Sequence, residues 1–531
     1  MTPTPPPRNL VVCCDGTGNV WGNKEDTNVV RLARHCIKDD TQVVYYDPGV
    51  GTAERFPAVS WLDNAWFKLR MLTGLALGGG IYENIGEAYA FLVQHWRPGD
   101  RIFLFGFSRG AFTARAVSGM VSMFGIVRPA AQVMIPTLLR IYFSDREKRD
   151  ARGFMRAELA ADMRAHFSEA GFDARVHFIG VWDTVATVGG LRPRVITSDT
   201  GVANKRFDHV RHAVSEGESR WQYAPRLYSG TPQDTPGPGD TPSLKQVWFP
   251  GAHSDVGGSY CHAGLSDIAL LWMLDEACEQ GLRVKPHEDL QLPLTPFAPA
   301  HDQTLAGGWG PWWALTGLQR REPPPAGQQH PALAWRDAEP DRAPVAWRRP
   351  WDRAVWLPLL MVALLVVAQQ IELAAGSSGV LHVATLQLTA PWIADPEGRH
   401  AALAMLGSRL TCALLLDVLL IGVYTHLLCT ACVRSLRRLR DWRAHDAGTH
   451  TALRRAWLAG LWAAPLADLA ENALTACLAA SPALGPGYPV IAGLLMLAGL
   501  TKWLALAGLG ALALLGLARG RRPAHPVPCP P

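Results

Sequence analysis

The sequence predicts a two-part chain: an α/β domain on a mostly parallel sheet, then an all-α region of transmembrane helices. Three observations carry this. Short apolar runs of strand length alternate with helix-like segments through roughly the first 320 residues, which implies a parallel sheet covered on both faces. Charged and apolar residues mix evenly up to about residue 350, and long apolar runs dominate after it, so the overall hydrophobic share of 48% conceals a division. A chain of 531 residues also exceeds what one hydrophobic core usually serves.

The elements follow in order. Asn9 to Cys14 is an apolar run stopped by Asp15-Gly16-Thr17-Gly18-Asn19, a buried strand entering a tight loop. Asn28 to Cys36 suits a helix, and Gln42 to Tyr46 a second strand, ended by Asp47-Pro48-Gly49. Gly78 to Gly80 turn the chain into a helix over Tyr82 to Trp96, which Pro98-Gly99-Asp100 closes. Arg101 to Gly106 is a strand feeding into Ser108, and Ala111 to Met123 has helical character. Val176 to Val181 and Gln246 to Pro250 are further strands, ended by Trp182-Asp183-Thr184 and Gly251-Ala252-His253-Ser254-Asp255, and Ser266 to Gly281 reads as a helix. Between them, Ala186 to Lys245 lacks sustained periodicity, and Gly230 to Asp240 suits a lid.

Four apolar spans follow, at about Ala354 to Leu373, Leu410 to Val433, Ala456 to Ala479 and Pro489 to Ala518, each near or above the length that crosses a bilayer. Arginines crowd before the first, between the second and third, and after the fourth. The positive-inside rule therefore puts the first domain on the cytoplasmic side of a multi-pass protein. Asp468, Glu471, Asn472 and Lys502 interrupt spans three and four and are expected to face each other inside a bundle. The divisions are 8–322 for the α/β domain, 323–350 for a Pro/Arg-rich linker, 351–520 for the helical region and 521–531 for a Pro-rich tail. Met1 to Pro7 has neither a basic start nor an apolar core, so no secretory signal is expected there. The net charge of +5 is small and shows no basic stripe for nucleic acid. The ten cysteines lack framework or zinc spacing and are read as reduced, and no cofactor or metal is expected, although Asp15 or Asp255 could hold a cation.

The chemistry centres on Gly106-Phe107-Ser108-Arg109-Gly110, a G-x-S-x-G between an apolar strand and an Ala-rich helix. Glycines on both sides of the serine allow a turn too sharp for a Cβ, and this marks the nucleophile turn of an α/β-hydrolase. A serine hydroxyl needs a histidine base oriented by a carboxylate, in the chain order Ser, acid, His. His253, in a Gly-rich loop, is the best base; His212, on a polar stretch expected to be helical, and His177, within a strand, read as structural histidines. Asp183 is the leading acid, with Asp255 and Asp208 as rivals. The oxyanion donors are the N–H of Arg109 and one from the early loop, Gly16 or Thr17, and Asp15 and Asp255 are secondary site residues.

Five motifs in order, Cys14 to Asn19, Tyr46 to Thr52, Gly106 to Ala111, Gly180 to Val185 and Pro250 to Gly258, resemble the α/β-hydrolase domain family that includes the type VI secretion phospholipase effectors. The resemblance covers about residues 8 to 320. It implies ester hydrolysis on glycerophospholipids with Ser108 as nucleophile, Asp183 as acid and His253 as base. It also implies a lipid substrate, a type VI export route, and an immunity protein or secretion spike protein as partner. Trp309, Trp312 and Trp313 are candidates for lipid contact. The alternatives are a membrane-anchored housekeeping esterase, or a non-enzymatic membrane receptor or transporter with a degenerate hydrolase domain.

Overall fold

The structure, a computed structural model, describes residues 7–16, 26–49, 79–145, 153–169, 174–185, 187–188, 194–195, 206–220, 223–230, 242–290, 292, 294–301, 321–322, 324–325, 327–338, 345–346, 360–368, 408–442, 447–480 and 487–519. The described residues divide into two compact units, the first holding those up to 301 together with 321–346, the second those from 360 to 519.

The first unit is an α/β assembly. Its main strands are β1 (Asn9–Cys14), β2 (Gln42–Asp47), β3 (Arg101–Phe107), β4 (Val176–Trp182), β5 (Phe207–Ser215) and β6 (Ser243–Phe249). They form one sheet in the order β2-β1-β3-β4-β5-β6 with every pairing parallel. All carboxyl ends therefore share one edge. The strand order reverses direction between β1 and β3, and such a switch point is where α/β sheets leave a crevice for ligands.

Two-residue periodicity divides each strand between two cores. Leu10, Val12, Cys14, Ile102, Leu104, Ile179 and Val181 face helices α2 (Gly79–His95), α3 (Arg109–Phe124), α4 (Ile135–Tyr142) and α5 (Arg156–Phe167). Val11, Cys13, Phe103, Phe105, Phe178 and Trp182 join the core with α1 (Asn28–His35), α7 (Gly264–Glu279) and Ala332. Thr27 starts α1 as a side-chain cap, its Oγ1 accepting the N–H of Val30. The short helix α6 (His253–Gly257) follows β6.

Two expectations change here. His212 lies on strand β5 rather than on a helix. The stretch Phe207–Ser215 reads as polar because its buried Arg211 and His212 are satisfied by tertiary partners: Arg211 by Glu276 and Ser243, His212 by Gln246 and the N–H of Thr184. Cys261 is disulfide-bonded, so the cysteines are not all reduced; pairing follows proximity in the fold, which spacing did not reveal. Within the expected linker, α8 (Pro331–Ala338) buries Ala332 and Leu333, and the N–H of His330 bonds the carbonyl of Trp248 in β6.

Among its described residues the second unit holds three long helices, α9 (Ser408–Trp442), α10 (Ala447–Ala480) and α11 (Tyr488–Arg519). Among the described residues, two segments are long and apolar enough to cross a membrane, Arg409–Cys429 and Pro489–Ala511, against four expected spans. The third expected span lies in α10, where Asp468 and Glu471 reduce the apolar character; of the first, only residues 360–368 are described, as helix. The charged groups meet as expected. Lys502 Nζ lies 2.9 Å from Asp468 Oδ1 and 2.6 Å from Glu471 Oε2, Tyr424 donates to Asp468 (2.7 Å), and Asn472 donates to Asp417 (2.8 Å). Leu415, Leu419, Leu466, Leu497, Leu500 and Leu504 are exposed, so this bundle carries a buried charged cluster among apolar side chains and an apolar outer surface.

Candidate active site

Ser108 stands between β3 and α3 at φ 59°, ψ −120°, a conformation that only a sharp turn requires of a non-glycine residue. Its neighbours explain how the turn fits. A Cβ on Gly106 would lie 2.4 Å from the Gly110 carbonyl oxygen, and one on Gly110 would lie 2.2 Å from the Cys14 oxygen and 2.4 Å from that of Asp15. The turn is thus pressed against the loop after β1 by backbone alone. Because α3 begins at Arg109, the N–H groups of its first turn have no intrahelical acceptors and carry the positive end of the helix dipole.

β4 delivers Asp183, which is fully buried at φ 41°. It is joined to Ser108 through the backbone on both sides: Ser108 N–H donates to the Trp182 carbonyl (3.1 Å), and Val185 N–H donates to the Ser108 carbonyl (3.3 Å). β6 and its loop deliver His253, whose Nδ1 lies 2.6 Å from Asp183 Oδ2. The imidazole packs 4.6 Å from the ring of Phe107, the residue before Ser108, and 4.8 Å from that of Tyr223. A Cβ on Gly257 would strike the Phe107 ring at 1.9 Å, so that glycine lets α6 lie flush on the end of β3. His253 Nε2 is buried with no hydrogen-bond partner among the described residues, and no hydrogen bond joins it to Ser108 in this structure.

The remaining candidates separate by place. Asp255 is occupied by its own loop: Oδ2 accepts the N–H groups of Ala252 and His301 (both 2.8 Å), and Oδ1 meets His301 Nδ1 at 2.6 Å. It shapes the segment that carries His253. Asp208 pairs with Arg175 (3.0 Å) and His177 (3.2 Å) at the start of β5, the opposite sheet edge. Asp15 accepts from Thr27 and Tyr46 (2.8 Å each) and from the N–H of Gly16 (2.6 Å). Gly16 can therefore serve an oxyanion only after releasing that bond. Thr17, the lid stretch over residues 231–240, and Trp309, Trp312 and Trp313 lie outside the described residues. No group of metal-ligating side chains occurs among the described residues.

Four contributors carried no signal in the sequence. Arg321 donates through Nη1 to Asp183 Oδ1 (2.5 Å) and through Nη2 to Oδ2 (2.9 Å). Glu218 accepts the N–H of His253 (3.3 Å) and holds Arg220 (2.8 and 2.6 Å), whose guanidinium lies 3.6 Å over the Tyr223 ring. These residues come from polar stretches indistinguishable from a solvated surface.

The electrostatics follow from this packing. Burial pushes the Asp183 carboxyl up, but the charge of Arg321 and the bond to His253 together hold it well below the ordinary range. His253 is lowered, first by burial and then by Arg220, against the raising effect of Asp183. Burial raises Glu218, and Arg220 more than offsets it, so that it too is lowered. Burial and Arg115 bring His212 down to about 3, which makes it a neutral packing residue.

A family model described as type VI secretion system (T6SS) phospholipase effector, Tle1-like, catalytic domain matches residues 8–276. The uncharacterized protein YEL023C of Saccharomyces cerevisiae is 30% identical over 247 residues, which make up 42% of this chain and 34% of that protein, so the chain spans about a third of that relative's length. A crystal structure of an uncharacterized protein from Pseudomonas aeruginosa aligns with 95% of this chain and 66% of its own at 17% identity and a TM-score of 0.31.

Proposed function

Since the chain belongs to the T6SS Tle1-like phospholipase effector family through its catalytic domain, we propose that it is a serine hydrolase cleaving ester bonds of membrane phospholipids through Ser108, His253 and Asp183. The observation that carries this is the 2.6 Å contact of Asp183 with His253, buried at the carboxyl edge of the sheet beside the strained turn at Ser108. Two groups tied by the fold to a serine at a helix N-terminus are what acyl transfer needs. That His253 Nε2 is still without a partner fits a site whose bonds tighten only around substrate.

The reaction divides into two halves. Ser108 Oγ attacks the acyl carbonyl as His253 Nε2 takes its proton, while Asp183 holds the Nδ1 proton and stabilises the imidazolium. The N–H of Arg109 and a donor from the Gly16-Thr17 loop hold the oxyanion, each such donor being worth about 10²–10³ in rate. Collapse expels the lysophospholipid alcohol, which takes the proton from His253. Water, deprotonated by the same imidazole, then releases the fatty acid and regenerates Ser108.

The helical unit is read as membrane-embedded, supported by its exposed leucines, its interior ion pairs and its two long apolar segments. The arginines flanking the apolar runs favour the cytoplasmic side for the catalytic unit. Family membership supports export by a type VI route and an immunity partner. The decisive experiment is fatty acid release from vesicles of phosphatidylethanolamine and phosphatidylglycerol by full-length protein in detergent. Release by the wild type, and a loss of about 10³-fold or more in Ser108→Ala, supports the reading. Equal silence from both, on vesicles and on short-chain esters, removes it in favour of a non-enzymatic membrane protein.

A further inference from the structure

We propose that Arg321 is a positioning residue for the base: its guanidinium clamps both oxygens of Asp183, fixes the carboxylate that the His253 ring is set against, and places a permanent positive charge behind the pair. The proposal rests on the reading of His253 as general base. Arg321 lies beyond the residues that match the family, on the stretch leading toward the apolar helices.

The geometry is closed on every side. An ionised carboxylate offers about four acceptor positions. Asp183 has four donors: Ser215 N–H (3.0 Å) and Arg321 Nη1 on Oδ1, His253 Nδ1 and Arg321 Nη2 on Oδ2. The same two guanidinium nitrogens donate to the carbonyls of Ser215 (2.5 Å) and Tyr223 (2.6 Å), which tie β5 and the Tyr223 loop to the aspartate. The side chain of Arg321 is 4% exposed and that of Asp183 0%, so water does not screen the pair. A planar two-pronged donor fixes the plane of the carboxylate as well as its position, which a point charge does not.

The clamp also decides how readily His253 holds a proton. Around the imidazole stand Asp183 and Arg321, Glu218 and Arg220, and the Tyr223 phenol, with Arg109 close to Tyr223. Two carboxylates face two guanidiniums, so the near shell is balanced, and the imidazolium gains less from Asp183 than it would from an aspartate with no cation behind it. Removing Arg321 leaves one carboxylate charge uncompensated and favours the imidazolium.

The test pairs kinetics with spectroscopy on the full-length protein. In Arg321→Met, the acidic limb of kcat/KM on phospholipid vesicles is expected to move up by about 1 pH unit or more, with a fall of about tenfold or more below the limb. In Arg321→Lys the charge remains, so the limb stays near that of the wild type while kcat falls about tenfold for want of the fork. The His253 imidazole is followed by NMR of ¹⁵N-histidine-labelled protein, its signal identified by loss in His253→Asn. A rise of that titration in Arg321→Met over the wild type supports the clamp. An unmoved limb with an unmoved His253 titration in Arg321→Met, or an unchanged kcat in Arg321→Lys, overturns it. If Arg321→Met lacks a cooperative melt, the kcat and the limb of the Lys variant still decide. If the wild type shows no Ser108-dependent hydrolysis, the enzyme reading falls on that result alone, and the titration judges the clamp separately.

Discussion

Asp183 and His253 are both buried with their protonation set by neighbours, and this makes the fold acid-sensitive. Each has a folded pKa below its unfolded value. A group of that kind contributes stability above its unfolded pKa and loses it as pH falls through the folded one. The first loss begins below about 6.5, where His253 charges on unfolding, and the second below about 3.9, where Asp183 takes up a proton more readily unfolded than folded. The midpoint of denaturant unfolding of the first unit is expected to fall from pH 7 to 5 and again from pH 4 to 3. His253→Asn should flatten the upper window and Asp183→Asn the lower. A midpoint that stays level from pH 7 to 3 contradicts these assignments.

Elements act here by holding ends together. The carboxyl ends of β1, β3, β4 and β6 share one edge because all pairings are parallel, and the loops after them carry Asp15, Ser108, Asp183 and His253. In the second unit the opposite tactic holds: α10 and α11 are joined by charges inside a bundle whose outer surface is apolar. Lys502 faces two carboxylates, so Lys502→Met leaves both buried without their cation and should destabilise the bundle by about 3 kcal/mol or more. Loss of helical signal on graded denaturant checks this, and restoration is expected when Asp468→Asn and Glu471→Gln are added. A single Met variant as stable as the wild type would show that the ion pairs do not hold the helices.

At the scale of the whole molecule, a unit of α/β architecture is followed in the chain by a helical unit with an apolar outer surface and a buried charged cluster. Exposed leucines over two long apolar segments are costly in water and are satisfied by hydrocarbon. Full-length protein expressed in bacterial cells is therefore expected to remain in the membrane pellet after alkaline carbonate washing, and to leave it only with detergent. Recovery in the carbonate supernatant would refute membrane embedding and make the bundle a partner-binding module.

Local pattern by itself determined the alternating strands and helices, the sharp turn at Ser108 and the charged residues that meet between α10 and α11. Apolar periodicity, glycine spacing and charges inside apolar runs are all local quantities, written in neighbouring residues. The boundaries of β1, β2, β3 and β4 were legible to within a residue or so for the same reason. β5 was not, because the partners that satisfy Arg211 and His212 lie on β6 and α7 and beside β4, and its sequence alone looks polar. Tertiary structure alone decided that Asp208 belongs to the far edge of the sheet, that Asp255 serves its own loop, and that Arg321, 138 residues from Asp183, grips its carboxylate. A hydrogen bond between distant residues depends on where the sheet places two loops in space, and no spacing along the chain encodes that.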